Sequence, residues 1–195
     1  MSNHLFLLVG KSASGKTTIA NILEEQYGYK QVNSYTTRKP RYDGESGHIF
    51  VSKEEFDGLG ELAAYTFYNG NEYGTTFEQL AQCDIYVIDP AGVDTLLDNK
   101  NKINRMISII YFDANVYNRI NRMINRGDSD MAIISRLLND EQNDWGNKLW
   151  DIVDKHSHNH LFFCADANKP IEKVLDEVLY LINHVKGGRW NDDLL

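Results

Sequence analysis

Residues 10–17 read Gly10-Lys11-Ser12-Ala13-Ser14-Gly15-Lys16-Thr17, an octapeptide that leaves few folds open. It fits the pattern G-x-x-x-x-G-K-[ST]. Phosphate oxygens need many donors at short range. Glycines let backbone N–H groups turn inward, and a helix opening at the end of such a loop aims its positive end at the anion. The flanks agree: the apolar run Leu5-Phe6-Leu7-Leu8-Val9 precedes the loop, and a helical pattern over Lys16–Tyr27 follows it. An ordinary glycine turn would not require that setting. The loop therefore reads as a site for the phosphates of ATP, formed by Gly10, Lys11, Ser12, Ala13, Ser14, Gly15, Lys16, Thr17 and Thr18. Lys16 would reach the β- and γ-phosphates, and Thr17 would offer its hydroxyl to Mg²⁺.

Apolar runs alternate with amphipathic stretches along the rest of the chain, the α/β pattern of a parallel sheet flanked by helices. Strands are expected at Leu5–Val9, Gln31–Ser34, Ile85–Asp89, Met106–Phe112 and Leu161–Cys164, apolar on both faces as central parallel strands are. Helices are expected at Lys16–Tyr27, Ala114–Arg126, Met131–Asn143 and Pro170–Val185, the last with Pro170 at its first position. About fifty residues, Tyr35 to Asp84, separate the second strand from the third. They are Gly/Pro-rich at Pro40–Gly47 and strand-like at Ile49–Val51 and Ala64–Tyr68. The expectation is one domain: a P-loop NTPase core of residues 1–34 and 85–195 carrying a small β-rich insertion, 35–84, that binds the acceptor. The tail from Lys186 is expected to fray.

Composition narrows the partners. A net charge of −8 over 195 residues argues against broad nucleic-acid binding. No run approaches the ~20 apolar residues that span a bilayer, and the N-terminus has neither the basic region nor the cleavage site of a signal peptide. Cys83 and Cys164 are isolated in or beside apolar stretches and read as buried thiols of a reducing cytoplasm. A cytoplasmic domain that meets small molecules, rather than nucleic acid or membrane, is expected.

Downstream of the loop come Ser34-Tyr35-Thr36-Thr37-Arg38-Lys39-Pro40-Arg41, Gly44-Glu45-Ser46-Gly47-His48-Ile49-Phe50-Val51-Ser52, Gly70-Asn71-Glu72-Tyr73-Gly74-Thr75 and Ile88-Asp89-Pro90-Ala91-Gly92. Two arginines three apart could fork onto one phosphate, since guanidinium geometry matches phosphate oxygens. A solvated basic patch is the plain alternative for the pair alone. Together with the phosphate loop, the whole string resembles the guanylate kinase family, whose signature reads S-x-T-T-R-x-P-R-x-G-E followed by Tyr-x-Phe-Val-Ser. The resemblance covers most of the chain. It implies ATP-dependent phosphorylation of a nucleoside monophosphate, GMP or dGMP, with Mg²⁺. It also implies that Arg38, Arg41 and Tyr73 hold the acceptor phosphate and that Ser34, Thr75 and Asp89 line the base pocket. His48 stands where the family has a tyrosine on the acceptor phosphate. Ala64 stands where it has the guanine-reading glutamate, with Glu61 and Glu72 as the nearby acids that could substitute. Val87 replaces an acidic residue near the metal.

Arg119, Arg122 and Arg126 recur at i, i+3 and i+7 in a stretch with no acid after the expected N-cap Asp113. Stacked like charges repel on a helix face, and surface faces usually mix signs. Arg122 and Arg126 are therefore read as facing a triphosphate, with Arg136 added from the next helix and Arg119 structural. The resemblance places the three in a lid, about residues 122–140, hinged at Gly127-Asp128-Ser129-Asp130. Lys16, Arg122, Arg126 and Arg136 are the expected catalytic residues. His156, His158, His160 and His184 bring no acidic partner at ligand spacing, Trp145 and Trp150 read as packing residues, and Asn168 falls where the family nears adenine. Two other readings share the fold: a ribose 1,5-bisphosphate phosphokinase, which Ala64 would suit, and a non-catalytic guanylate-kinase-like binding module, which would lack Lys16 and Thr17.

Overall fold

The computed structural model describes residues 4–40, 43–45, 47–142, 145–156 and 160–187. Its frame is a four-stranded parallel sheet of β1 (His4–Val9), β6 (Ile85–Val87), β7 (Met106–Asp113) and β8 (His160–Asp166), in the order β6-β1-β7-β8. Leu5 to Val9 are fully buried, as the unbroken apolar run requires. Side chains alternate across a strand, and β1 divides the core by parity. Leu5, Leu7 and Val9 join one buried cluster with Val93, Leu96, Trp145 and Leu149, while Phe6 and Leu8 join the other with Ile19, Leu23, Val174 and Val178.

The first cluster is covered by α4 (Pro90–Asp98) and α7 (Trp145–Lys155), the second by α1 (Lys16–Tyr27) and α8 (Ile171–Lys186). Neither α4 nor α7 was among the expected helices. The first starts on a strong signal, Asp89 as N-cap accepting the Gly92 N–H at 2.8 Å, with Pro90 at N1. The second buries Trp145, Leu149 and Ile152 at helical spacing.

The expected strand Gln31–Ser34 does not form. Gln31 makes a single parallel bridge to Ile85, and the Val32 N–H donates to the Ile85 carbonyl at 2.9 Å. Beyond Val32 there is no apolar side chain to bury, and the chain turns into a second sheet. That sheet consists of β2 (Ser34–Thr36), β3 (His48–Phe50), β4 (Leu62–Tyr68) and β5 (Asn71–Thr76) in the order β3-β2-β5-β4, with α2 (Lys53–Asp57) and α3 (Phe77–Gln82) attached. The chain returns beside its point of departure: the Asp84 and Ile85 N–H groups both donate to the Lys30 carbonyl, at 2.7 and 3.1 Å.

Helices α5 (Val116–Arg126) and α6 (Asp130–Gln142) complete the fold. The N-cap of α5 is Asn115, whose side chain accepts the Asn118 N–H at 2.8 Å, and Asp113 ends β7 instead. Gly127, at φ 85°, supplies the left-handed residue that stops α5. Cys164 is exposed rather than buried because β8 is an edge strand, and Cys83 is half-buried; both are free. Trp150 is likewise 55% exposed, its ring 4.7 Å from that of Phe162. His158 and residues 188–195 lie outside the described residues. Among the described residues, no helix is long and apolar enough to cross a membrane.

Candidate active site

The phosphate loop folds as its sequence demands. A Cβ on Gly10 would lie 2.8 Å from the Phe112 carbonyl oxygen, so only glycine lets the loop leave β1 this close to β7. Gly15, at φ 101°, ends the loop as the N-cap of α1, and no side chain caps the helix's first N–H groups. Lys16 curls back along the loop, donating to the carbonyls of Gly10 and Lys11, the latter at 2.9 Å, and to Ser14 Oγ at 3.2 Å. Burial lowers the Lys16 ammonium to about 8; Asp140 and Asp89 pull it upward, and Arg119 opposes them.

In front of the loop lies a cavity of about 250 Å³. Ser12, Ala13, Lys16 and Thr17 form its floor, and Val87, Ile88, Asp89 and Gly92 one wall. Ser34, His48, Tyr65, Thr66, Tyr68, Tyr73 and Tyr86 supply the second-sheet side, and Arg126, Arg136 and Trp145 close the rest. Of the expected site residues, Gly10, Lys11, Ser14, Gly15 and Thr18 shape the loop without lining the cavity, and Arg38, Thr75 and Arg122 also stand back from it. Arg41 lies outside the described residues.

The second-sheet side is held by hydrogen bonds between strands. Ser34 Oγ and His48 Nδ1 are 3.0 Å apart, and the His48 and Tyr73 rings meet edge to face at 5.6 Å. Thr75 is fully buried, and its hydroxyl donates to the Tyr86 phenol at 2.7 Å, which also bonds Ser34. Thr75 thus reaches the cavity through Tyr86 rather than directly. Arg38 is gripped by Glu45 in a two-point fork, at 2.8 and 3.1 Å, with Phe50 beneath it. Although burial works against the charge, Glu45 and Tyr73 hold the Arg38 guanidinium above its ordinary value. Its Nε–H is buried without a partner among the described residues.

Neither expected substitute for the guanine-reading acid reaches the cavity. Glu61 pairs with Lys102, and Glu72 accepts from Tyr65 and pairs with Lys53 at 2.7 Å. Ala64 is buried in the core cluster. The carboxylate that lines the cavity is Asp89, raised by burial and held by the Gly92 and Ala91 N–H groups and the Thr66 hydroxyl.

The three arginines expected to face a triphosphate divide. Arg122 instead donates to the carbonyls of Ala13, Ser14 and Ala167, at 3.3, 3.1 and 2.6 Å, and braces the back of the loop. Arg126 and Arg136 line the cavity and converge on Asp128. Arg119, 3% exposed, pairs at 3.0 Å with Asp140, which is fully buried. Asn168 accepts from the Asn115 N–H at 2.8 Å and does not line the cavity.

Asp140, Glu45, Tyr86 and Trp145 are site residues that sequence reasoning missed. Trp145, read as packing, is also 5.8 Å from the Lys16 ammonium. Only Glu45 carried a sequence signal, as the last residue of the acceptor signature. His156 does have acidic neighbours, Asp94 and Asp98, but the Lys155 ammonium sits on both at 2.8 and 3.1 Å.

A phosphate loop closing the central strand of a parallel sheet, with paired arginines across a cavity from its lysine, defines a P-loop kinase. No family model matches the chain. It is 27% identical over 190 residues to a guanylate kinase of Neisseria gonorrhoeae, covering 92% of this chain and 87% of that one. To a guanylate kinase of Helicobacter pylori it is 27% identical over 196 residues, covering 94% and 90%. Among solved structures, a deoxyadenosine kinase from M. mycoides superposes with a TM-score of 0.48 at 14% identity, covering 93% of this chain and all of that one. The chain is thus similar over nearly its whole length to guanylate kinases.

Proposed function

We propose that this protein transfers the γ-phosphoryl group of ATP to a nucleoside monophosphate, with GMP or dGMP as the acceptor. The observation that carries the reading is one cavity shared by Lys16 and Thr17 of the loop, Arg126 and Arg136 of α5 and α6, and Ser34, His48 and Tyr73 of the second sheet. A donor phosphate on the loop and an acceptor phosphate beside Tyr73 would face each other across it.

Residues 35–84 then form the acceptor side. Arg38, pre-set by Glu45 and with one buried N–H to give, would hold the acceptor phosphate with Tyr73 and Arg41, and His48 would flank it. Ser34, Asp89 and, through Tyr86, Thr75 would meet the base. Residues 122–140 form the lid, in which Arg126 and Arg136 would leave Asp128 for the phosphoryl group in transit while Arg122 keeps the loop's shape. An acceptor phosphate oxygen is already anionic near neutral pH, so no general base is needed. Positioning and charge stabilisation supply the rate.

Mg²⁺ fits the residues present: Thr17, a hydroxyl residue exposed at the first turn of α1, lines the cavity beside Lys16. When bound, such an ion neutralises phosphate charge between donor oxygens.

A coupled ADP-release assay against GMP, dGMP, AMP, the other monophosphates and ribose 1,5-bisphosphate tests the reading. Turnover with GMP or dGMP above the rest is expected. Turnover with ribose 1,5-bisphosphate alone would move the enzyme to the sugar-phosphate kinases, and turnover with none would end the kinase proposal.

A further inference from the structure

We propose that Asp140 is a positioning residue that couples the phosphate loop to the arginine of the lid. This rests on the phosphoryl-transfer reading above. One carboxylate gathers three donors from two parts of the chain: the Ser12 N–H at 3.0 Å, the Ser12 hydroxyl at 3.1 Å and Arg119 Nη2 at 3.0 Å. Asp140 is fully buried and Arg119 nearly so. A buried charge is tolerated when it is paired and hydrogen-bonded, and here the pairing spans the first bend of the loop, α5 and α6.

Geometry gives the contact a use beyond stability. Arg136 stands one helical turn before Asp140 on α6, and residues at i and i+4 share a helix face. Fixing Asp140 on Ser12 therefore fixes where Arg136 stands relative to Lys16. Glu141, the next residue, adds a looser tie to Lys11 at 3.9 Å on the exposed side. Asp140 also draws the Lys16 ammonium upward, ahead of Asp89, against the burial that lowers it. Placement errors of ~1 Å in such a site lower rates by up to ~10²-fold. An acid on a helix with no other reason to be buried is thus the link between the donor loop and the lid.

The test removes the link without leaving a buried charge unpaired. The double variant Asp140→Ala/Arg119→Leu replaces the ion pair with apolar side chains, an exchange that buried pairs often tolerate. A folded protein with kcat lowered roughly 10- to 100-fold and acceptor KM within about twofold is expected. Arg136→Ala should then cost much less in that background than in the parent chain. Parental kcat, or an unchanged penalty for Arg136→Ala, would overturn the proposal. Should the double variant fail to fold, hydrogen exchange at the Ser12 amide in Asp140→Asn decides. Faster exchange there with β1 unchanged is expected, and unchanged exchange at Ser12 overturns the link. An inactive parent chain would sink the kinase reading instead, while the exchange measurement still judges the contact.

Discussion

Thr75 of β5 and Tyr86 of β6 share a buried hydrogen bond of 2.7 Å, which ties the second sheet to the core sheet at the wall of the cavity. Through Tyr86 the connection runs on to Ser34 and His48. Tyr86→Phe removes the shared oxygen and leaves the Thr75 hydroxyl buried without a partner. A loss of ~1–3 kcal/mol is expected by denaturant unfolding. Acceptor KM should rise while KM for ATP stays put. A change confined to KM for ATP would mean that this wall does not serve the acceptor.

Lys16 makes two pH effects run in opposite directions. Its folded value, about 8, lies below the ordinary 10.5. Below pH 8 the ammonium is protonated in both folded and unfolded chains, and folding bears the full penalty of burying it. Between pH 8 and about 10.5 the unfolded chain holds more protons at this site, so the stability of the nucleotide-free protein rises. ATP affinity falls over the same window as the cation is lost. Lys16→Ala should abolish turnover, preserve acceptor binding by calorimetry and flatten both trends relative to the parent. Equal pH trends in parent and variant would remove Lys16 as their source.

The Glu45 fork pre-sets Arg38. Glu45→Gln keeps the shape but loses the charge that holds the guanidinium, and acceptor KM should rise about tenfold or more with kcat nearly unchanged, consistent with ~1.5–3 kcal/mol for a charged hydrogen bond. Arg38→Lys should do at least as much, because an ammonium cannot make the two-point contact. Steady-state kinetics on both variants check this; a fall in kcat alone would place Arg38 in the transfer step.

Base selectivity should be shallow. Asp89 already accepts from Gly92, Ala91 and Thr66, so little of its capacity remains for a second donor. Sites that pair a base's polar groups fully can discriminate by ~10⁴–10⁵. Here IMP, which lacks the exocyclic amino group, is expected within roughly tenfold of GMP in kcat/KM, the scale of a single weak contact. A preference for GMP above a thousandfold would show that another group reads the amine. Ala64→Glu should lower Tm rather than sharpen selectivity, because Ala64 packs in the core cluster.

Much of this architecture is legible from one-dimensional pattern. An apolar run ending in the phosphate loop could only be a central strand, and the parity of Leu5 to Val9 assigns each side chain to a core layer. The arginines were harder. Arg119, Arg122 and Arg126 share a helix face, yet seven residues rise ~10 Å along the axis. Depth along that axis, not periodicity, decides that the first is buried, the second meets carbonyls and the third meets the cavity. Asp140 had no signal at all, since an acid on an amphipathic helix reads as solvent-facing until its partners are known. Which hydroxyl faces inward, Thr75 or Tyr86, is likewise set by strand register across two sheets.

The Lys30 carbonyl accepts both the Asp84 and the Ile85 N–H groups at the point where the chain comes back from the second sheet. An excursion whose two ends meet at one atom imposes almost no spacing on the frame that carries it, and lengthening such a loop adds only slowly to its closure entropy. Residues 33–83 can therefore vary in length at their turns without shifting β6 against β1, so long as Ala63, Ala64 and Leu80 stay packed in the core and Thr75 keeps its bond to Tyr86. Variation in length would then gather at turns such as Asn69-Gly70, remote along the chain from that carbonyl, and leave the phosphate loop as it is.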